Sequence, residues 1–288
     1  MSDTSQKNYA LLFFLLILVV LNIYLLHLDL KSRKTGLTFA MLDIGQGDAL
    51  FIESPTGTQV LFDAGPAKKI LGPLRKVMSP FDRTIDAVVI TNPDADHIGG
   101  FSEIFKNYTI GLVLEPGTIN DSKVYKNLKD KVDSKNIPNI LAKKGMKLDL
   151  GGGVVVDILF PDRDVSTWNS NDGSVVARLS YGDTSVMLTG DSTIKTEKMI
   201  LEQFKNNDLK STILKVGHHG SRTSSGDAFV KAVAPIYALI SDGKDNKYGH
   251  PHPEVLDVLS EIGAKILRTD LLGTILMKCD RMAVCEIN

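Results

Sequence analysis

Asp94, Asp96 and His97 crowd together in the run Ile90-Thr91-Asn92-Pro93-Asp94-Ala95-Asp96-His97-Ile98-Gly99-Gly100. Hard carboxylate oxygens and one imidazole at this spacing suit a divalent metal. Pro93 keeps the chain extended just before them. The plainer reading is a solvated loop with an Asp cap on the helix that follows. Three more polar clusters point the same way: Asp191, His218/His219 and His250/His252. Each follows an apolar run that reads as a strand. Singly, Asp191 could cap a helix and His250 or His252 could brace a turn. Yet five of the six histidines fall in these clusters, and strand ends converge on one edge of a sheet, where sites on α/β scaffolds collect.

The elements that must position them follow from periodicity. Strands at Thr38–Ile44, Ala49–Glu53 and Gln59–Phe62 are joined by the turns Gly45-Gln46-Gly47-Asp48 and Ser54-Pro55-Thr56-Gly57. A helix over Ala67–Met78 precedes the strand Ile85–Ile90, and a helix begins at Phe101. Beyond it the pattern predicts a strand at Gly111–Leu114, a helix at Ser122–Ser134 and two strands around Gly151-Gly152-Gly153. Residues 161–173, with the lone Trp168, lack periodicity and read as a rim loop. A hairpin over Ser174–Thr189, the helix Ile194–Phe204 and strands at Thr212–Val216 and Ile236–Ile240 follow. The helix Pro253–Ile262 and strands at 265–268, 274–278 and 282–286 end the chain. No linker or repeat interrupts this, so residues 36–288 read as one domain.

The first 35 residues read differently. Tyr9–Leu28 is almost wholly apolar, broken by Asn22 and His27. Twenty helical residues span about 30 Å, enough to cross a bilayer. No small-residue cleavage site follows, which favours an uncleaved single-pass anchor over a signal peptide. His27 near its end reads as interfacial. Lys31, Arg33 and Lys34 after the span weakly favour a cytoplasmic body. The net charge of −1 argues neither for nor against a polyanionic partner. Cys279 and Cys285 flank Asp280-Arg281, which reads as a tight hairpin turn opposing Cys279 to Met282. That pattern predicts two core cysteines, with neither a disulfide framework nor a thiolate metal motif.

Met41-Leu42-Asp43-Ile44-Gly45-Gln46-Gly47-Asp48-Ala49, Leu61-Phe62-Asp63-Ala64-Gly65, Asp94 to Gly100, Leu188-Thr189-Gly190-Asp191, Leu214 to Ser221 and Tyr248 to Glu254 occur in that order, closed by Arg268-Thr269-Asp270 and Gly273. Together they resemble the metallo-β-lactamase-fold domain of ComEC-type DNA-uptake (competence) proteins, from about residue 36 to the end. The resemblance implies an α/β (α+β) αββα sandwich, two mixed sheets face to face with helices outside, preceded here by one transmembrane helix.

It also implies a ligand set. The family's His-x-His-x-Asp-His motif falls on Asn92, Asp94, Asp96 and His97. Asp96 and His97 match ligands of the second metal position, and Asp191 matches the carboxylate that can bridge two ions. One of His218 and His219 matches a histidine ligand, with His218 favoured. Asn92 and Asp94 replace the two histidines of the first position, leaving it more oxygen-rich and suited to manganese or magnesium. One or two divalent ions are expected, zinc or manganese, with magnesium a third candidate. Asp94 would hold the first ion weakly.

The function implied is a membrane-anchored, metal-dependent phosphodiesterase or nuclease that attacks single-stranded DNA with metal-activated water. Asp96 would orient ion and water. Lys215, His219, Ser221 and Thr223 would bind phosphate oxygens, although Ser221–Ser225 also suits a helix N-cap. His250 would be a general acid, and His252 would bind substrate or hold the rim. Asp48, Asp63 and Asn92 would support the ligands from behind. A single span cannot form a DNA channel, so a separate uptake-channel protein is the expected partner, and the resemblance favours an extracytoplasmic body. The competing readings are a binding module of reduced activity, favoured by Asn92 and Asp94, and a hydrolase of a cell-envelope phosphodiester.

Overall fold

The computed structural model describes residues 11–24 and 36–287 of the chain. The chain divides into two compact units at residue 35/36. In the first, residues 11–24 are helical with exposed apolar side chains. Among the described residues no helix is long and apolar enough to cross a membrane. The anchor predicted over 9–28 lies in part outside the described residues, as does His27.

The second unit is built on fifteen strands in two sheets. β1 (Leu37–Met41), β2 (Leu50–Glu53) and β3 (Gln59–Phe62) form the antiparallel start that the two turns imply. β4 (Thr84–Val89), β5 (Thr109–Glu115) and β6 (Asn139–Leu141) then add in parallel. β7 (Lys147–Asp149), β8 (Val154–Phe160), β9 (Val176–Tyr181) and β10 (Thr184–Leu188) make an antiparallel run in the other sheet. β11 (Ile213–Lys215), β12 (Tyr237–Ile240) and β13 (Lys265–Arg268) extend it in parallel. β14 (Ile275–Cys279) and β15 (Cys285–Ile287) return to the first sheet beside β1.

Alternation along the strands decides the layers. Phe39, Met41, Ile52, Val60 and Phe62 of one sheet pack against Val156, Ile158, Leu179, Val186 and Leu239 of the other. The opposite faces are covered by helices: Ala40, Phe51 and Val88 meet Leu74, Phe101 and Phe105, while Met187, Leu214 and Ile240 meet Ile200, Phe229 and Leu259. The result is the expected αββα sandwich. Both sheets send the carboxyl ends of parallel strands to one edge, and the polar loops there carry the candidate residues.

The C-terminal hairpin departs from expectation. Cys279 pairs with Cys285, not with Met282, and the two form a disulfide. The reason is the Asp280 carboxylate, which accepts from the backbone N–H groups of both Met282 and Val284. That widens the loop beyond a two-residue turn and shifts the register, bringing the two cysteines opposite each other.

Candidate metal centre

Asp96 and His97 sit in the short helix Ala95–Ile98 directly after β4. Asn92 starts the turn: its side-chain oxygen accepts from the Asp94 N–H at 2.8 Å, an Asx turn. From below, the Gly45–Asp48 turn presses on this loop as predicted. Gly47 has φ 124° and its Cα lies against the Asp96 carbonyl, so a side chain there would meet backbone. The Asp48 N–H donates to that same carbonyl at 3.2 Å.

His97 is fully buried, and its Nδ1 lies 2.8 Å from Asp63 Oδ2. Asp63 is itself fixed by the Thr91 N–H and hydroxyl. The carboxylate accepts a hydrogen bond from Nδ1 and directs Nε2 at Asp191 Oδ2, 3.1 Å away. His219 repeats the device: Nδ1 donates to the Ser241 carbonyl at 2.9 Å, and Nε2 faces Asp96 and Asp191, 3.6 Å from a carboxylate oxygen of each. His97 Nε2, His219 Nε2 and Asp191 Oδ1 are buried without a hydrogen-bond partner among the described residues. Around a tetrahedral ion with bonds of about 2.1 Å, ligand atoms are about 3.4 Å apart. Asp96, His97 and His219 bring ligand atoms within 4.8 Å of one another, and Asp191 Oδ2 lies 3.1 Å from His97 Nε2 and 3.6 Å from His219 Nε2, so these residues fit a divalent ion.

The pair His218-His219 thus exchanges its expected roles. Both residues have left-handed backbone, φ 47° and 55°, an arrangement kept where surrounding contacts enforce it. It turns His219 inward and leaves His218 at the mouth, a quarter exposed, with Nε2 3.8 Å from Asp191 and Nδ1 3.1 Å from the Thr223 hydroxyl. Burial holds the His218 pKa below its ordinary value despite Asp191. For His219, burial pulls down, but Asp191 and Asp48 outweigh it and push the pKa up to about 10. His97 is likewise raised well above normal by Asp191 and Asp63 against its burial. Asp191 is held well below the carboxylate range, because His97, His219 and Lys215 overcome the burial that opposes them.

Lys215 does not reach substrate. Its ammonium is fully buried in an ion pair with Asp48, donates to the Gly190 carbonyl at 2.6 Å and lies 3.6 Å from Asp191 Oδ1. It is a cation built in beneath the centre. Asp48 and Asp63 lie behind the histidines. Asp94 stays outside the ligand group; its Oδ1 accepts from the Asn120 side chain at 3.1 Å. Asn92 Nδ2 approaches Asn171 Oδ1 at 3.4 Å, and Asn171 Nδ2 approaches His218 Nε2 at 3.5 Å. Asn171 comes from the aperiodic loop 161–173; its sequence offers no spacing signal beyond membership of a rim loop.

Ser221 and Thr223 share a hydroxyl contact at 3.0 Å that supports His218. They do not cap a helix, since Asp227–Val233 starts after Gly226, with its entry held by Glu197 accepting from the Ser225 and Gly226 N–H groups. His252 Nδ1 accepts from the Arg222 N–H and braces the rim. His250 is driven down to about 4 by burial and by the neighbouring histidines. Without an ion its imidazole is therefore neutral at pH 7.

Two face-to-face sheets between helices, with an aspartate–histidine centre at one edge, define a metallo-β-lactamase fold. A model of the metallo-beta-lactamase superfamily matches residues 42–241, and the chain belongs to that superfamily. It is 32% identical over 253 residues to ComE operon protein 3 of Bacillus subtilis, covering 82% of this chain and 32% of the relative. It is 30% identical to Competence protein ComA of Neisseria gonorrhoeae, covering 81% of this chain and 31% of that one. The chain thus spans about a third of the length of these curated relatives. The solved metallo-beta-lactamase fold protein YhfI from Bacillus subtilis is similar in fold, with TM-score 0.54, 12% identity, and coverage of 81% of this chain and 96% of that one.

Proposed function

We propose that this protein is a metal-dependent phosphodiesterase that cuts single-stranded DNA. The observation that carries the reading is that His97 Nε2 and His219 Nε2, buried and without hydrogen-bond partners among the described residues, lie together with carboxylate oxygens of Asp96 and Asp191. A divalent ion held by these residues supplies Lewis acidity that activates water and offsets charge on a phosphoryl group. The two-imidazole, two-carboxylate set favours zinc or manganese over magnesium.

The chain's own residues do the rest. Asp63 and the Ser241 carbonyl fix the histidine tautomers, and Lys215 with Asp48 fixes Asp191 from below. His218, kept neutral, offers Nε2 as proton acceptor for the attacking water. The amide groups of Asn92 and Asn171, at the first metal position of the fold, donate to non-bridging phosphate oxygens. DNA as substrate is supported by the competence proteins among the relatives.

The same reading includes residues 9–28 as a membrane anchor and an extracytoplasmic body. The Cys279–Cys285 disulfide supports that side, because such bonds persist in oxidising compartments. A separate channel protein would then carry the DNA across. The amides of Asn92 and Asn171 are also the observation that favours a second reading, a non-catalytic binding module.

Hydrolysis of bis(p-nitrophenyl) phosphate and labelled single-stranded DNA by the purified full-length protein separates the two. Zinc, manganese and magnesium are supplied in turn, beside Asp96→Ala/His97→Ala. Metal-dependent turnover absent from that variant is expected. A folded protein that turns over neither substrate with any ion is the binding module.

A further inference from the structure

Tyr248 stands at the mouth of the centre with 53% of its surface exposed, outside all three hydrophobic clusters of the fold. Its ring lies on His250, centroids 5.7 Å apart and planes 22° from parallel. The His250 ring is 5.7 Å from that of His218 and 6.4 Å from that of His219. A run of rings thus leads from the ligand group to the solvent and ends on an open aromatic face.

The loop that presents this face is rigid. Asn246 holds it nearly alone: its amide donates to Asp242 Oδ1, the Gly243 carbonyl and the His250 carbonyl at 2.7 to 3.2 Å. Its side-chain oxygen accepts from the Tyr248 and His250 N–H groups. The Tyr248 ring is exposed, yet its backbone is pinned. The other large aromatic near the rim, Trp168, is spent on packing against Phe160 beneath Lys195. The exposed Lys247 ammonium lies over the Tyr248 ring, 5.1 Å from its centre, on a flexible stem that can swing aside for a base.

An aromatic face with an adjacent ammonium is the pairing that single-stranded nucleic acid takes, base on ring and phosphate on cation. We propose that Tyr248 is the stacking platform for a nucleobase of the bound strand, with Lys247 paired to that nucleotide's phosphate. This rests on the phosphodiesterase reading of the same centre and adds a base subsite to it. Stacking accepts any base, because each has a π-face, so the subsite tells nucleic acid from other phosphodiesters without reading sequence.

The test is equilibrium binding of full-length protein to fluorescein-labelled oligothymidylate and to an abasic deoxyribose-phosphate oligomer of equal length, by fluorescence anisotropy in EDTA. Tyr248→Ala is expected to weaken oligothymidylate binding about five- to a hundredfold, while binding of the abasic oligomer keeps the wild-type Kd. Tyr248→Phe is expected to retain wild-type affinity for both. Equal loss on both oligomers, or no loss on either, overturns the platform. A wild-type protein that cleaves bis(p-nitrophenyl) phosphate but binds neither oligomer overturns it too, and leaves the hydrolase standing. Base-dependent binding without cleavage of any phosphodiester has the opposite meaning: the platform holds and the enzyme reading fails.

Discussion

Asp63 Oδ2 lies 2.8 Å from Nδ1 of His97, and this contact decides which ring nitrogen is free to take an ion. Asp63→Asn keeps the size of the side chain, but its amide donates where the carboxylate accepted. The proton then moves to Nε2 and blocks the lone pair. Affinity for manganese or zinc, measured by calorimetric titration, is expected to fall about 10- to 100-fold. Unchanged affinity would remove Asp63 from the centre.

The two adjacent histidines separate by experiment. His219→Ala removes a ligand, and metal affinity measured against a chromophoric chelator should drop by more than about 100-fold, past the range of a supporting residue. His218→Ala should stay within about tenfold of the parent affinity and lose turnover instead. The reverse pattern would restore His218 as the ligand.

Lys215 neutralises Asp48 in a fully buried pair. Lys215→Met breaks the buried pair and leaves Asp48 beside only His219 and His97, which costs up to about 3–5 kcal/mol. Adding Asp48→Leu removes the orphaned charge, so the double variant should recover much of the loss in urea unfolding. A double variant no more stable than Lys215→Met would show that the pair is not the source.

Stability should fall with rising pH more steeply without metal than with it. The folded pKa of His219, about 10, lies above an unfolded value of about 6.5. Its stabilisation of the metal-free protein is therefore complete below about pH 6.5 and lost as pH rises through the folded value. An ion competes with that proton and with the one on His97. In EDTA the melting temperature should fall from pH 6.5 towards 9, while the increment produced by saturating metal widens. An increment that narrows over that range would sink the assignment of these two ligands.

The disulfide is separately measurable. Closing so short a loop is worth about 2 kcal/mol by chain entropy. Dithiothreitol should lower the unfolding free energy by about that amount in the parent and leave that of Cys279→Ala/Cys285→Ala unmoved.

Most strands, the sandwich and the edge on which the centre lies can be read from alternation and from polar clusters at strand ends. Asp48, Asp63, Asp96, His97 and Asp191 lie where their motifs suggest. Three features escape such a reading for separate physical reasons. Two consecutive left-handed residues invert which histidine faces inward, and no periodicity encodes that. Lys215 ends a central strand, where a lysine reads as a surface group until its buried partner Asp48, brought from the other sheet, is known. Asn171 enters from a loop without period, and the hairpin register turns on one aspartate side chain.

β1 has β2 for one neighbour, made moments later, and β14 for the other, made only after all the strands between them. While the chain emerges from the ribosome, the Leu37–Met41 rim that will meet Ile275–Cys279 is an unpaired edge, open to wrong partners. Pairing across so many residues is slow, because the intervening chain must first be brought together. β1 is thus among the last strands of the domain to be sealed, its edge open until β14 has been made.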